Sequence, residues 1–199
     1  MLRLPRADPL TPAQHDALAC RNEHMKKRAI NALKINHYPL SWVADLSVLC
    51  AITNIMELKL KVGIDRIKFG LKPDDIDKLL GKPDKIKTDE DNPEKVIWVY
   101  NHLKLRLAFY KDESDRLGYI HSASNDLSYK ENIIINTTIE FALEEIFKNI
   151  KTNWQVEVYE FFTTYFNDES WLTLTETFGV ITEVEMGVPF LNDKEYEWP

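Results

Sequence analysis

Histidines, carboxylates, thiols and hydroxyls are the side chains on which acid–base, nucleophilic or metal chemistry would rest. This chain of 199 residues holds few of them at spacings that could act together. His15, Cys20 and His24 are of metal-ligating type, but their spacings of five and four do not put all three on one helical face, so no metal site is expected there. His121 has Ser122 beside it and Ser124 near it. Neighbours on a strand point to opposite faces, which excludes a nucleophile–base pair. His102 falls at a predicted turn, and each lone histidine reads as a surface or packing residue. The adjacent pairs Asp74-Asp75 and Glu144-Glu145 lie on predicted helices, where neighbours diverge by about a hundred degrees around the axis. They read as solvated faces rather than as a general acid and base. With only 6 glycines there is no glycine-rich phosphate loop, and no Cys-x-x-Cys or His-Glu-x-x-His occurs. The expectation is a protein that is not an enzyme, with no catalytic residue, metal or cofactor.

The elements that would carry these residues are clearest in the middle of the chain. Pro73 to Leu80 reads as a helix with its apolar stripe at Ile76, Leu79 and Leu80. Asp74, Asp75 and Asp77 favour its N-terminal half through the helix dipole. Gly81 can take the left-handed terminating conformation and Pro83 blocks continuation. Met56 opens the alternation Glu57 to Val62, typical of a strand. Leu103, Leu105, Leu107 and Phe109 alternate with Lys104, Arg106, Ala108 and Tyr110, the pattern of a strand buried on one side. Burying those four apolar side chains would contribute roughly 6–12 kcal/mol before entropy is subtracted.

A second unit follows. Ile133 to Ile135 reads as a strand, and Thr137 or Thr138 could cap a helix with the stripe Ile139, Leu143, Ile146, Phe147 and Ile150. Trp154 to Phe166 and Trp171 to Phe178 flank a turn, and Val180 to Met186 closes the sheet. The order of a helix followed by strands repeats that of residues 73–124. The fold class expected is α+β: short helices packed on antiparallel β-sheet, a tandem repeat of a helix-plus-meander unit, with a helical N-terminal extension. One continuous sheet with two helices is the alternative. Residues 1–55 form the helical or poorly ordered extension, or lie upstream of the true start; 56–130 form the first repeat and 131–199 the second.

Alternation also sorts the strand faces. If Leu172, Leu174, Phe178, Val180, Val184, Trp154, Val156 and Val158 face the core, then Glu157, Tyr159, Trp171, Thr173, Thr175, Glu183 and Glu185 face outward. Aromatic rings among carboxylates suit a protein interface, so these seven are the candidate partner-binding residues. In the first unit the same logic exposes Lys104, Arg106, Tyr110, Tyr119 and His121, a mildly basic face.

Composition narrows the partner. With 44% hydrophobic and 29% charged residues, the chain is globular in type. Cys20 and Cys50 are the only cysteines, which fits a reducing, cytoplasmic compartment. Residues 1–20 hold three prolines, two aspartates and no apolar run, unlike a signal peptide. Leu40 to Met56, the longest apolar stretch, includes Asp45 and Asn54 and does not read as a membrane span. Residues 131–199 hold 3 Lys/Arg against 14 Asp/Glu, a net charge of −11. Such a block repels nucleic acid and attracts a basic protein surface.

The ordered string from Ile67 to Ser124 resembles a known domain. It combines Gly70-Leu71, the acidic helix, Leu80-Gly81-x-Pro83-Asp84, the aromatic strand with Trp98 and Tyr100, and a strand-turn-strand ending at Leu117 to Ile120. This block is similar to the small domain of the BamE (SmpA/OmlA) envelope lipoproteins and to the repeat unit of the β-lactamase inhibitory protein fold. The resemblance implies a helix packed on an antiparallel sheet, a fold that serves assembly lipoproteins, enzyme inhibitors and immunity proteins. The function expected is a protein-binding inhibitor, most concretely an immunity protein that neutralises a cognate bacterial toxin. A structural assembly module like the envelope lipoproteins is the alternative.

Overall fold

The computed structural model describes residues 56–150, 154–192 and 195–199. The expected helical extension over residues 1–55 lies outside them, as do His15, Cys20 and His24. Residues 55–199 form one compact unit. Strands β1 (Met56–Lys59), β2 (Gly63–Ile64) and β3 (Ile67–Lys68) precede helix α1 (Pro73–Leu80). A meander follows: β4 (Lys85–Thr88), β5 (Lys95–Tyr100), β6 (Leu105–Tyr110) and β7 (Arg116–Ser122). Short strands β8 (Leu127–Tyr129) and β9 (Asn132–Ile133) lead to α2 (Ile139–Phe141), which passes into a π-helical turn at Ala142–Ile146. The second meander is β10 (Gln155–Val158), β11 (Thr163–Asn167), β12 (Leu172–Thr177) and β13 (Val180–Gly187), and the hairpin β14 (Phe190–Asn192) and β15 (Glu195–Tyr196) comes last.

Both meanders belong to one eight-stranded antiparallel sheet, in the order β10-β11-β12-β13-β7-β6-β5-β4. Its halves join where β13 pairs with β7, with Glu185 opposite His121 and Met186 opposite Ile120. A smaller sheet, β3-β2-β1-β8-β9, contains the parallel pair β1–β8. The expected α+β class is therefore corrected to a β-rich fold. The physical reason lies in the second helix. Thr138 caps it as expected, its Oγ1 accepting the Phe141 N–H at 3.4 Å. After one turn the backbone widens, and the Phe147 N–H reaches back to the Ala142 carbonyl at 2.8 Å. The apolar stripe is present, with Ile139, Ile146 and Phe147 buried, but it spans far less regular helix than its length suggested.

Helix α1 is built from local signals. Pro73 occupies its first turn, and Asp75 accepts the Lys72 N–H at 3.3 Å. Gly81 ends it at φ 76°, its N–H bonded to the Asp77 carbonyl at 2.8 Å. The Tyr100 hydroxyl donates to the Gly81 carbonyl at 2.9 Å, fastening β5 to the helix end. Ile76 of α1 and Ile139 and Ala142 of the second helical segment join Leu105, Leu107, Phe109, Leu117, Ile120, Leu172, Leu174, Val184 and Met186 in one core. Both helical segments thus pack on the same face of the large sheet.

Three core assignments of the sequence reading are corrected. Phe178 is 99% exposed, because it occupies the β12–β13 turn at φ 52°. Val156 and Val158 are also exposed, since β10 is an edge strand at the margin of the core. The stretch Trp154 to Phe166 is not one strand but the hairpin β10–β11, closed by the Tyr159 N–H to the Phe162 carbonyl at 2.9 Å. Likewise Ile134 and Ile135 follow β9 as buried coil rather than as strand.

Candidate functional site

The face of the large sheet opposite the helices carries the candidate residues. Cross-strand register places Glu157, Thr164, Thr175 and Glu183 in one row across β10 to β13. The next row runs Phe166, Thr173, Glu185, His121, Arg106 and Val99. Tyr159 lies two residues beyond Glu157 and donates its hydroxyl to the Glu157 Oε2 at 2.6 Å. That bond pushes the Tyr159 pKa up from its ordinary value. Trp171 lies two residues before Thr173. Glu157, Thr173, Thr175, Glu183 and Glu185 therefore share one side of the sheet, while Tyr159 and Trp171 lie just outside the strands and reach it through the Glu157 bond and the Phe166 ring.

They are not equally open. Glu157 and Tyr159 are exposed, while Trp171, Thr173, Thr175, Glu183 and Glu185 are half-buried. Trp171 is flanked by Phe166, with ring centroids 6.1 Å apart, and by Phe190 of the final hairpin at 5.1 Å. Phe190 stacks on Tyr196 at 4.5 Å, and Tyr196 meets Tyr110 at 5.6 Å. This aromatic band ties both meanders together across the outer face. The expected first-unit surface is altered accordingly: Tyr110 is half-buried beneath Tyr196, and burial pushes its pKa well above the ordinary tyrosine value.

The densest polar constellation lies at the junction of the two meanders. His121, only 8% exposed, directs its Nε2 to Glu183 Oε2 at 3.1 Å and Glu185 Oε1 at 4.0 Å. The Tyr119 hydroxyl donates to the other Glu185 oxygen. Burial, with the Glu185 carboxylate adding to it, pushes the Tyr119 pKa well above the ordinary tyrosine range. Gly187 stands opposite Tyr119; a Cβ there would lie 3.3 Å from the Trp171 ring and 3.5 Å from the Tyr119 ring. The bare backbone thus lets both rings close over it. Lys95 sits 5.2 Å above the Tyr119 ring and pairs with Asp89 at 3.3 Å. No sequence signal linked His121 to these glutamates, because they stand on strands of two different meanders, β7 and β13. Alternation put Tyr119 and His121 on one face and Glu183 and Glu185 on another strand's outer face; only the β7–β13 pairing brings the two sets together.

The other candidate groups stay separate. His102 is exposed, 3.9 Å from Asp84. Ser122 is fully buried on the core side, opposite in sense to His121. Asp75 pairs with Lys78 at 3.6 Å and Glu145 with Lys148 at 3.2 Å, both at the surface. A cavity of about 370 Å³ lies among Asp89, Asp91, Asn92, Lys95, Tyr110, Asp112 and Tyr196. Of these, Asp89 accepts the Asp91 and Asn92 N–H groups of its own loop, and the first of these bonds leads in lowering its pKa. No helix among the described residues is long and apolar enough to cross a membrane.

No protein-family model and no curated protein matches the sequence. Among solved structures, an extracellular protein containing an SCP domain from Bacillus anthracis str. Ames aligns at TM-score 0.39 and 14% identity, over 58% of this chain and 42% of that one. A DUF4309 family protein (YjgB) from Bacillus subtilis subsp. subtilis str. 168 aligns at TM-score 0.37 and 15% identity, over 58% of this chain and 77% of that one. Likeness at this level carries no argument about function.

Proposed function

We propose that the chain is a non-enzymatic, cytoplasmic protein-binding inhibitor, an immunity protein that neutralises a cognate bacterial toxin by docking its basic surface. The observation that carries this reading is the face over β10 to β13 that no helix among the described residues covers, where Glu157, Glu183 and Glu185 stand among Tyr159, Thr164, Thr173 and Thr175. Carboxylates of one sign steer a basic partner, and the exposed Tyr159 ring supplies contact area without a long flexible stem. The net charge of −11 over residues 131–199 extends that field beyond the face itself. Inhibition would be stoichiometric and steric.

The test is affinity purification of the full-length chain from its native host at low and high salt, beside a variant carrying Glu157→Lys and Thr175→Lys. Both positions lie on the face and outside the His121 cluster. A single basic partner, near-stoichiometric, released by salt and lost from the variant, is expected. Co-expression of the chain should then relieve that partner's toxicity. A partner held equally by the variant, or none at all, overturns the proposal.

A further inference from the structure

The geometry points to a divalent transition-metal site at the β7–β13 junction, with His121 Nε2 and one oxygen each from Glu183 and Glu185 as ligands. One ligand atom from each of the three residues lies within 4.8 Å of the others. Around an ion held at about 2.0–2.2 Å, neighbouring ligand atoms stand roughly 3–3.6 Å apart. The observed 3.1 and 4.0 Å separations from His121 are therefore near what coordination needs, and a small carboxylate rotation closes the wider one.

Two further features favour an ion over a plain ion pair, beside a buried His121 that presents its Nε2 to both carboxylates. Glu183 and Glu185 bring two like charges to one small site, and the nearby Lys95 is already engaged with Asp89. An added divalent cation relieves that repulsion more completely than one imidazolium can. Finally, the Tyr119 hydroxyl holds the far oxygen of Glu185 and leaves the near one facing His121, the arrangement by which outer groups orient metal ligands.

One imidazole and two carboxylates suit zinc, manganese or cobalt rather than soft thiophilic ions, and the nitrogen donor disfavours magnesium and calcium. Three protein ligands leave coordination positions open. The Glu183 and Glu185 side chains are 42% and 30% exposed, so those positions face solvent. The site stands whether or not the face binds a protein, and its test involves no partner.

That test is a titration of the full-length chain, first stripped with chelator, with Zn²⁺ by calorimetry and with Co²⁺ by visible absorption. One ion per chain is expected, with cobalt bands typical of nitrogen and oxygen ligands and a zinc-dependent rise in melting temperature. Glu183→Gln keeps the size of a half-exposed side chain and should weaken binding at least about tenfold; His121→Ala should do the same if it folds, as read by circular dichroism. Glu157→Gln, on the same face, should leave affinity unchanged. Ions held elsewhere in the chain would be unmoved by Glu183→Gln. Binding equal in wild type and Glu183→Gln, or no binding, overturns the site and leaves a histidine–carboxylate ion pair.

Discussion

Tyr119 shows how one hydroxyl can matter on an outward face. It donates to Glu185, whose other oxygen faces His121. Tyr119→Phe keeps the ring under Lys95 but leaves a half-buried carboxylate without that donor. Hydrogen bonds to charged groups are stronger than the neutral average, so the loss should cost about 1–2 kcal/mol, read as a lowered urea midpoint at unchanged m-value. An unchanged midpoint would mean that water replaces the hydroxyl fully. Residue by residue, alternation in the sequence was enough to put Tyr119, His121, Glu183 and Glu185 on outward faces. It could not reveal that they meet, because the pairing of β7 with β13 is set by how two distant meanders share a core. Val156 and Val158 misled for the converse reason: their alternation is that of a buried strand, but an edge strand has no second layer over its margin.

At the scale of elements, legibility followed locality. Helix α1 could be bounded from sequence because its signals, Pro73 at one end and Gly81 at the other, act within a turn of where they stand. The hairpin β14–β15 could not, because its role depends on remote rings: Tyr196 on Tyr110, Phe190 on Trp171, and Trp198 with Arg116 at 5.3 Å. The strand β7 makes room for this band through a bulge. Ala108 is opposite Tyr119 and Phe109 opposite Leu117, so Gly118 has no partner across the ladder. Tyr110 lies over it, and a Cβ there would fall 2.2 Å from the ring. Gly118→Ala must lift Tyr110 and with it the Tyr196 stack, which should cost about 1–3 kcal/mol. A thermal melt measures this. If the hairpin instead rides on the sheet loosely, the melting temperature will hardly move, and the aromatic band contributes little to fixing the outer face.

Across the whole molecule, the same burial that builds the core fixes a direction of pH dependence. Burial, aided by Asp77 and Asp84, pushes Tyr100 up to about 12, and burial raises Tyr110 and Tyr119 further. In the unfolded chain these tyrosines lose their protons near pH 10. Above that pH the unfolded state binds fewer protons than the folded one, so stability falls as pH rises. Their contribution is complete below pH 10 and is lost progressively as pH climbs through the folded values. Denaturant midpoints at pH 9, 10 and 11 should therefore decline between the last two more than between the first two. In parallel, tyrosinate absorbance of the native protein at pH 11 should fall short of that of the unfolded chain, because at least Tyr100, Tyr110 and Tyr119 hold their protons. Full tyrosinate absorbance at pH 11 with native circular dichroism intact would show that water reaches Tyr119. In that event Tyr119 could no longer donate to Glu185 at that pH, and the carboxylate beside His121 would lose that anchor there.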